Sequence, residues 1–544
     1  MADDGGKGGV LGAIERGIDA VFAPLTEWSA KIIFVPIPLP GGNSIPFVVV
    51  WLVVAAVIIS FYLGFIQFRG FRTSLEVVRG KFSRSDDPGE VPHFQALTSA
   101  VSGTVGLGNI AGVGAAVALG GPGATFWMIL AGLLGMATKF VECTLGVKYR
   151  EVHEDGTVSG GPFKYLPVAF SRFPGFVAKG LTGLFAIAIL FFGVAGGTMF
   201  QSNQTFAQAR NTFGGADGLL GTDGAALVFG IVLSIGVGIV IIGGMRSIGA
   251  VTSRLVPFMG IIYVAACLLV IGKNITHVPD AFSQIVEGAF SPTGVSGGVI
   301  GVLIIGFQRA AFSNEAGLGS AAIAHSTVKT RRPVSEGFVA SLEPFIDTVV
   351  ICTMTALTII IASDDSYLQV RQEVGAEKGL NTDGVTLTSN AFETFLPWFP
   401  WILTLAVLLF AFSTVITWSY YGLKAWHYLF GRSAVGDKIF YSIVCAFVVI
   451  GAVLTFKNVL DFADAFLFVC AFINLLGLYL LMPVVKKEMK EYLADRKSGR
   501  LYELGAEDDA ELAQVREDQG NTGELPTMEG EQLRYDTEDG PKQP

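Results

Sequence analysis

The chain has 544 residues, 51% of them hydrophobic and only 15% charged, with a formal net charge of −9. Soluble domains carry about 25% charged residues, so this composition excludes an ordinary soluble globular protein and points to a polytopic membrane protein. Much of the negative charge lies in the C-terminal tail, and no basic tract suggests a nucleic-acid partner.

The opening MADDGGKGG lacks a basic region before an apolar core and does not read as a cleaved signal peptide. Val10, Ile14, Ile18, Phe22 and Leu25 recur at helical spacing. They predict an amphipathic surface helix within an extracytoplasmic segment, 1–44. A membrane span needs roughly 20 apolar residues. Eleven segments meet that requirement: 45–67, 93–119, 123–147, 180–208, 225–244, 250–272, 296–325, 336–362, 397–422, 438–456 and 461–484. The gaps 148–179, 273–295 and 363–396 read as loops with short surface helices. Residues 485–544 form a cytoplasmic tail. Beyond Gly505 it is acidic (Glu507, Asp508, Asp509, Glu511, Glu517, Asp518), holds few large apolar residues, and is expected to stay disordered.

Lysine and arginine placement orients the spans. Arg69, Arg72, Arg79, Lys81 and Arg84 follow the first span, and Lys148, Arg150, Lys164, Arg172 and Lys179 follow the third. Arg246 and Arg254 flank the turn after the fifth, Lys329, Arg331 and Arg332 follow the seventh, Lys424 and Arg432 the ninth, and Lys486, Lys487 and Lys490 the last. The loop near Gly214 to Gly224 has no basic residue. Alternate loops are therefore cytoplasmic, with the N-terminus outside and the C-terminus inside.

Spans two and seven are broken. Gly103 to Gly114 reads GTVGLGNIAGVG, and Gly306 to Ser320 reads GFQRAAFSNEAGLGS. In hydrocarbon, irregular backbone survives only where it lines a cavity or binds something. Gly108, Gly112 and Gly120 suit close helix packing. Packing does not account for Asn109, Gln308, Arg309, Ser313, Asn314 and Glu315 at membrane depth, where polar side chains are costly and face cavities. The broken spans lie five apart and run in opposite directions. Spans two to six (93–272) and seven to eleven (296–484) thus form an inverted five-plus-five repeat within a 45–484 transmembrane domain, with span one extra. Discontinuous helices at matching places in such repeats point to a transporter's binding site.

Other function classes lack their signatures. No GxxxxGK[ST] phosphate loop marks a primary pump, and nothing demands a channel filter. The five histidines (His93, His153, His277, His325, His427) are scattered, and Cys143, Cys267, Cys352, Cys445 and Cys470 form no CxxC pair. They read as buried small hydrophobes. No enzyme is expected.

The run from Phe94 to Arg150, SGGPFKYL at Ser159 to Leu166, FSNEAGLGSA at Phe312 to Ala321 and DTVVICTMTAL at Asp347 to Leu357 resemble the alanine or glycine:cation symporter family. The resemblance covers roughly residues 45 to 490. Leu107 departs from the Thr or Val that the family often carries between those glycines, a change a backbone site tolerates. The resemblance implies an all-α, LeuT-like fold of the APC superfamily with eleven transmembrane helices. It also implies a prokaryotic inner membrane and import of alanine or glycine with sodium as the coupling ion. No organic cofactor is implied.

A zwitterion needs donors for its carboxylate and acceptors for its ammonium, and helix breaks supply both. Backbone around Val105 to Asn109 is the expected substrate site, with Thr104, Gly108 and the Asn109 side chain. Acceptors are expected near Gln308 to Phe312. Gln201 resembles the family's pocket glutamine; it either gauges side-chain size, binds the ammonium, or makes an interhelical hydrogen bond. Thr414 and Trp418 share a helical face on span nine (FAFSTVITWSYYG, Phe410 to Gly422) and resemble the family's pocket pair. A tryptophan wall suits glycine or alanine and clashes with bulk. By analogy with the fold, sodium would take the Ser413 and Thr414 hydroxyls and a carbonyl near Val105, although helix hydroxyls often bond back to the i−4 carbonyl. Arg309 either pairs with Glu315 or another buried carboxylate, or binds substrate. Lys139 and Glu142, three apart, are placed to pair. Glu315, Glu343 and Asp347 serve either as structural partners or as proton carriers, which leaves a proton-coupled symporter as the alternative.

Overall fold

Backbone with no water to bond must satisfy itself, and the apolar segments do so as helices. The computed structural model describes Pro24 and residues 35–501 apart from 39–43, 84–86, 155, 223, 243, 291–297, 364–366, 370–371, 373–383 and 455. The expected amphipathic helix at 10–28, Pro24 aside, and the acidic stretch after Gly505 lie outside the described residues.

In chain order the main helices are α1 (Phe47–Tyr62), α2 (His93–Thr104), α3 (Gly108–Gly120), α4 (Gly123–Lys148), α5 (Gly175–Thr212), α6 (Ala225–Ile241), α7 (Gly244–Lys273), α8 (Val278–Phe290), α9 (Gly298–Asn314), α10 (Ala321–His325), α11 (Pro333–Ala362), α12 (Gly384–Phe395), α13 (Phe399–Phe430), α14 (Ala434–Val453) and α15 (Phe456–Ser498). Among the described residues seven are long and apolar enough to cross a membrane, and α2 with α3, bent by 50° at their junction, makes an eighth. α1, α6 and α9 are shorter apolar helices. All eleven apolar segments of the sequence are thus helical. Two small ribbons pair Pro36–Pro38 with Ser44–Pro46 and Glu151–Val152 with Val158–Ser159. Contacts divide the chain into two units, Met1–Lys490 and Glu491–Pro544. In the second, helix continues to Ser498 and Asp495 pairs with Arg500 at 2.8 Å.

The gap 363–396 departs from the expected surface loop. α12 is buried along Val385, Leu387, Thr388, Ser389, Ala391 and Phe392. A Cβ on Gly384 would lie 2.1 Å from the Ala111 carbonyl oxygen, so glycine lets α12 touch the backbone of α3. The Thr388 hydroxyl donates to the Ile110 carbonyl at 2.9 Å. By contrast, a Cβ on Gly112 would meet nothing within 4 Å, so that glycine does not serve the close packing read from its spacing.

Buried charges find partners far along the chain. Lys139 donates to Glu343 at 3.1 Å and not to Glu142, whose Oε1 takes the Gly319 N–H and the Asn474 amide. Glu336 joins His93 and His325, and His325 Nε2 stands 3.6 Å from Glu343. This row of five buried groups ties α2, α4, α10 and α11 together. Arg309 pairs with Asp464 on α15, not with Glu315. All five cysteines are unpaired.

Candidate functional site

At the first break α2 ends at Thr104, and Val105 (φ −74°, ψ 88°) leaves the helical region. Helix resumes at Gly108 through a wide π-type turn, Gly108–Gly112, a feature that recurs at functional sites. Side chains take the N–H groups freed here: Gly106 donates to Asn109 Oδ1 at 3.0 Å and Leu107 to Gln201 Oε1 at 3.2 Å. At the second break α9 stops at Asn314. Glu315 (φ 55°), Gly317 (φ 96°) and Gly319 (φ 84°) carry the chain through left-handed conformations to α10. The Ala316 N–H donates to Asn314 Oδ1 at 2.9 Å, and the Gly317 carbonyl accepts from Asn474 at 2.9 Å.

The two breaks face one small cavity. Thr104, Gly108, Gln201, Phe312 and Trp418 line it, as do Gly103, Phe192, Gly196 and Glu315. Its wall is aromatic. Trp418 meets Phe192 edge-on at 4.7 Å, and Phe312 meets Phe200 at 5.0 Å. The indole N–H donates to Glu315 Oε1 at 3.1 Å. Span four makes room for that indole: a Cβ on Gly197 would lie 2.2 Å from Trp418 Cγ, and Gly197 sits in a second π-type turn, Ala195–Met199. Thr104 lines the cavity while its hydroxyl bonds back to Ala100 at 3.3 Å.

Other expected site residues lie behind this wall. Asn109 turns to Asp347 Oδ1, donating at 2.6 Å. The Thr414 hydroxyl donates to the Ser102 carbonyl at 2.9 Å and abuts Gly106, where a Cβ would come within 2.5 Å of it. The Ser413 hydroxyl bonds back to the Phe410 carbonyl at 2.9 Å, while its own carbonyl accepts from the Ser102 hydroxyl at 2.8 Å. α13 is thereby stitched to the turn just before Val105. A second oxygen-rich cluster, missed in the sequence, joins both breaks to α11. There Asp347 Oδ2 accepts from the Ser313 and Thr348 hydroxyls, both at 2.7 Å, and Oδ1 from Asn109. Among the described residues no group of three or more His, Cys, Asp and Glu is placed to hold a metal ion. What the two places offer is hydroxyl, amide and carbonyl oxygen with at most one carboxylate.

A family model described as the sodium:alanine symporter family matches residues 42–505. The chain belongs to the sodium:alanine symporter family. Among relatives in it, the sodium/alanine symporter AgcS of Methanococcus maripaludis is 36% identical over 458 residues, covering 83% of this chain and 95% of that one. The amino-acid carrier protein AlsT of Bacillus subtilis is 36% identical over 439 residues, covering 80% and 87%. A solved structure of MhsT in complex with L-phenylalanine matches with a TM-score of 0.49 and 15% identity, covering 71% of this chain and 88% of that one. Sodium:alanine symporters are membrane transporters, and the apolar helices of this chain accord with that membership.

Proposed function

We propose that this protein imports small neutral amino acids, alanine or glycine, together with sodium by alternating access in a prokaryotic inner membrane. The observation that carries this reading is a small cavity lined by both broken helices. With the Gly106 and Leu107 N–H groups already taken by Asn109 and Gln201, the N–H of Gly108, where helix resumes in the cavity wall, would meet the carboxylate, as helix N-termini do for anions. Phe192, Phe312 and Trp418 would bound the side-chain space, which favours a hydrogen or a methyl over bulk. Gln201, held by Leu107 N–H and by its own donation to the Gly196 carbonyl at 3.2 Å, fixes one polar edge of that space.

In this reading eleven spans cross the bilayer: α1, α2 with α3, α4, α5, α6, α7, α9 with α10, α11, α13, α14 and α15. Residues 93–272 and 296–484 are repeats of opposite topology in a LeuT-like arrangement, with the N-terminus outside and the C-terminus inside. Sodium is a hard cation and takes oxygen. Two places suit it: the Thr414 and Ser413 hydroxyls beside the Val105 backbone, and the Asp347, Ser313, Thr348 and Asn109 cluster. Each touches a broken helix, so an ion there would fix the break in its substrate-binding form. Substrate would bind more tightly with sodium present, and rocking of the two repeats would carry both across.

Titration calorimetry of the purified protein with glycine, L-alanine, L-leucine and L-phenylalanine, with sodium or with choline, tests the proposal. Glycine and alanine should bind only with sodium, and phenylalanine not at all. Equal alanine affinity in choline, or strong phenylalanine binding, would contradict it.

A further inference from the structure

Glu315 is a buried carboxylate, 3% exposed, in the wall of the cavity. Most of its charged counterparts inside the bundle have an ionic partner: Glu343 has Lys139, Glu336 has two histidines and Asp464 has Arg309. Among the described residues Glu315, like Glu142 and Asp347, has no ion pair, and of these three it alone lines the cavity. Its oxygens accept one hydrogen bond each, from the Trp418 indole at 3.1 Å and from the Ser320 hydroxyl at 2.6 Å. An ionised carboxylate offers about four acceptor sites, so about half its capacity is unused. The buried ammonium of Lys139 is committed to Glu343. A buried charge without a counter-ion is costly. The backbone at Glu315 is itself in the left-handed region (φ 55°), uncommon for a residue other than glycine. Such outliers persist where the surroundings enforce them, often at ligand sites.

We infer that Glu315 is the counter-ion of the substrate: its free acceptor positions take the ammonium group of the amino acid in the cavity that Gly108 also lines. This rests on the amino-acid importer reading and deepens it. The cavity then selects for a charged amine as well as for a small side chain. Trp418 acquires a second task, holding the carboxylate in place through its indole N–H.

The test compares L-alanine with L-lactate, which keeps the carboxylate and methyl and replaces the ammonium by hydroxyl. Binding is measured on the purified protein in sodium, for the wild type and for Glu315→Gln. The glutamine retains an oxygen for the indole, and tryptophan fluorescence reports whether the wall has moved. A hydrogen-bonded charge should make alanine lose at least about tenfold in affinity while lactate changes little, so that the preference for alanine collapses. Glu315→Asp should recover part of it. Equal weakening of both ligands, or unchanged alanine affinity, would overturn the inference and leave the importer intact. A wild type that binds no alanine would overturn the importer reading and this inference with it.

Discussion

Gly106 and Gly112 lie in the same broken segment, yet their surroundings predict opposite responses to one methyl group. A Cβ on Gly106 would stand 2.5 Å from the Thr414 hydroxyl oxygen and 3.3 Å from Gln201 Oε1, while one on Gly112 would meet nothing within 4 Å. Neither residue has a positive φ, so alanine is sterically the only change. In Gly106→Ala the methyl must displace Thr414 from the Ser102 carbonyl or Gln201 from the Leu107 N–H. Overpacking of this kind costs about 1–3 kcal/mol, and stranding a buried donor costs a similar about 1–3 kcal/mol. Taken as one event and not summed, that is roughly 5- to 150-fold in an equilibrium constant. Sodium-dependent alanine uptake in proteoliposomes and the thermal unfolding midpoint in detergent should therefore both fall for Gly106→Ala, with alanine affinity reduced about tenfold or more. Gly112→Ala should match the wild type in both assays. Wild-type transport by Gly106→Ala, or equal damage from the two substitutions, would refute the placement of Thr414 and Gln201 against the break.

Three further outcomes are expected. Trp418→Ala opens the aromatic wall beside Phe192, so leucine should begin to compete with alanine for binding; an unchanged competition profile would show that Trp418 does not limit substrate size. Lys139→Met leaves Glu343 buried without its ammonium partner and should destabilise the fold by about 3–5 kcal/mol, read as a lowered unfolding midpoint. The pair Lys139→Met with Glu343→Gln should recover much of the loss, and strictly additive losses would show the two are not coupled. Asp347→Asn can keep one oxygen for the Ser313 and Thr348 hydroxyls but removes the charge and the acceptor for the Asn109 amide, so half-maximal uptake should require several-fold more sodium. An unaltered sodium dependence would remove that cluster from the candidate sodium sites.

The helical segments were readable because hydrocarbon imposes one rule on every span, and a run of apolar residues obeys it visibly. The breaks were readable for the complementary reason: glycine and asparagine at membrane depth violate that rule. Gln201 and Trp418 came from family resemblance and Phe312 from the second break, and the structure brings them to one cavity. Phe192 carried no signal, since a phenylalanine on an apolar helix looks the same facing lipid or cavity. Partner choice was equally hidden. Spacing along one helix offered Glu142 to Lys139, whereas the bond goes to Glu343, more than 200 residues later. Arg309 met Asp464 on the last helix by the same long-range packing. The stretch 363–396 reads as a loop with short surface helices because it lacks a span's apolar run; in α12, Thr388 and Ser389 are buried and bonded to α3 and α5.

Coupled transport is the central claim, and an imposed gradient tests it most directly. The purified protein is placed in proteoliposomes with sodium outside and choline inside, and labelled alanine is followed over time. Transient accumulation above the external concentration, abolished when choline replaces external sodium at the same pH, is the predicted result. Undiminished accumulation without sodium, or uptake that only ever equilibrates, would contradict it.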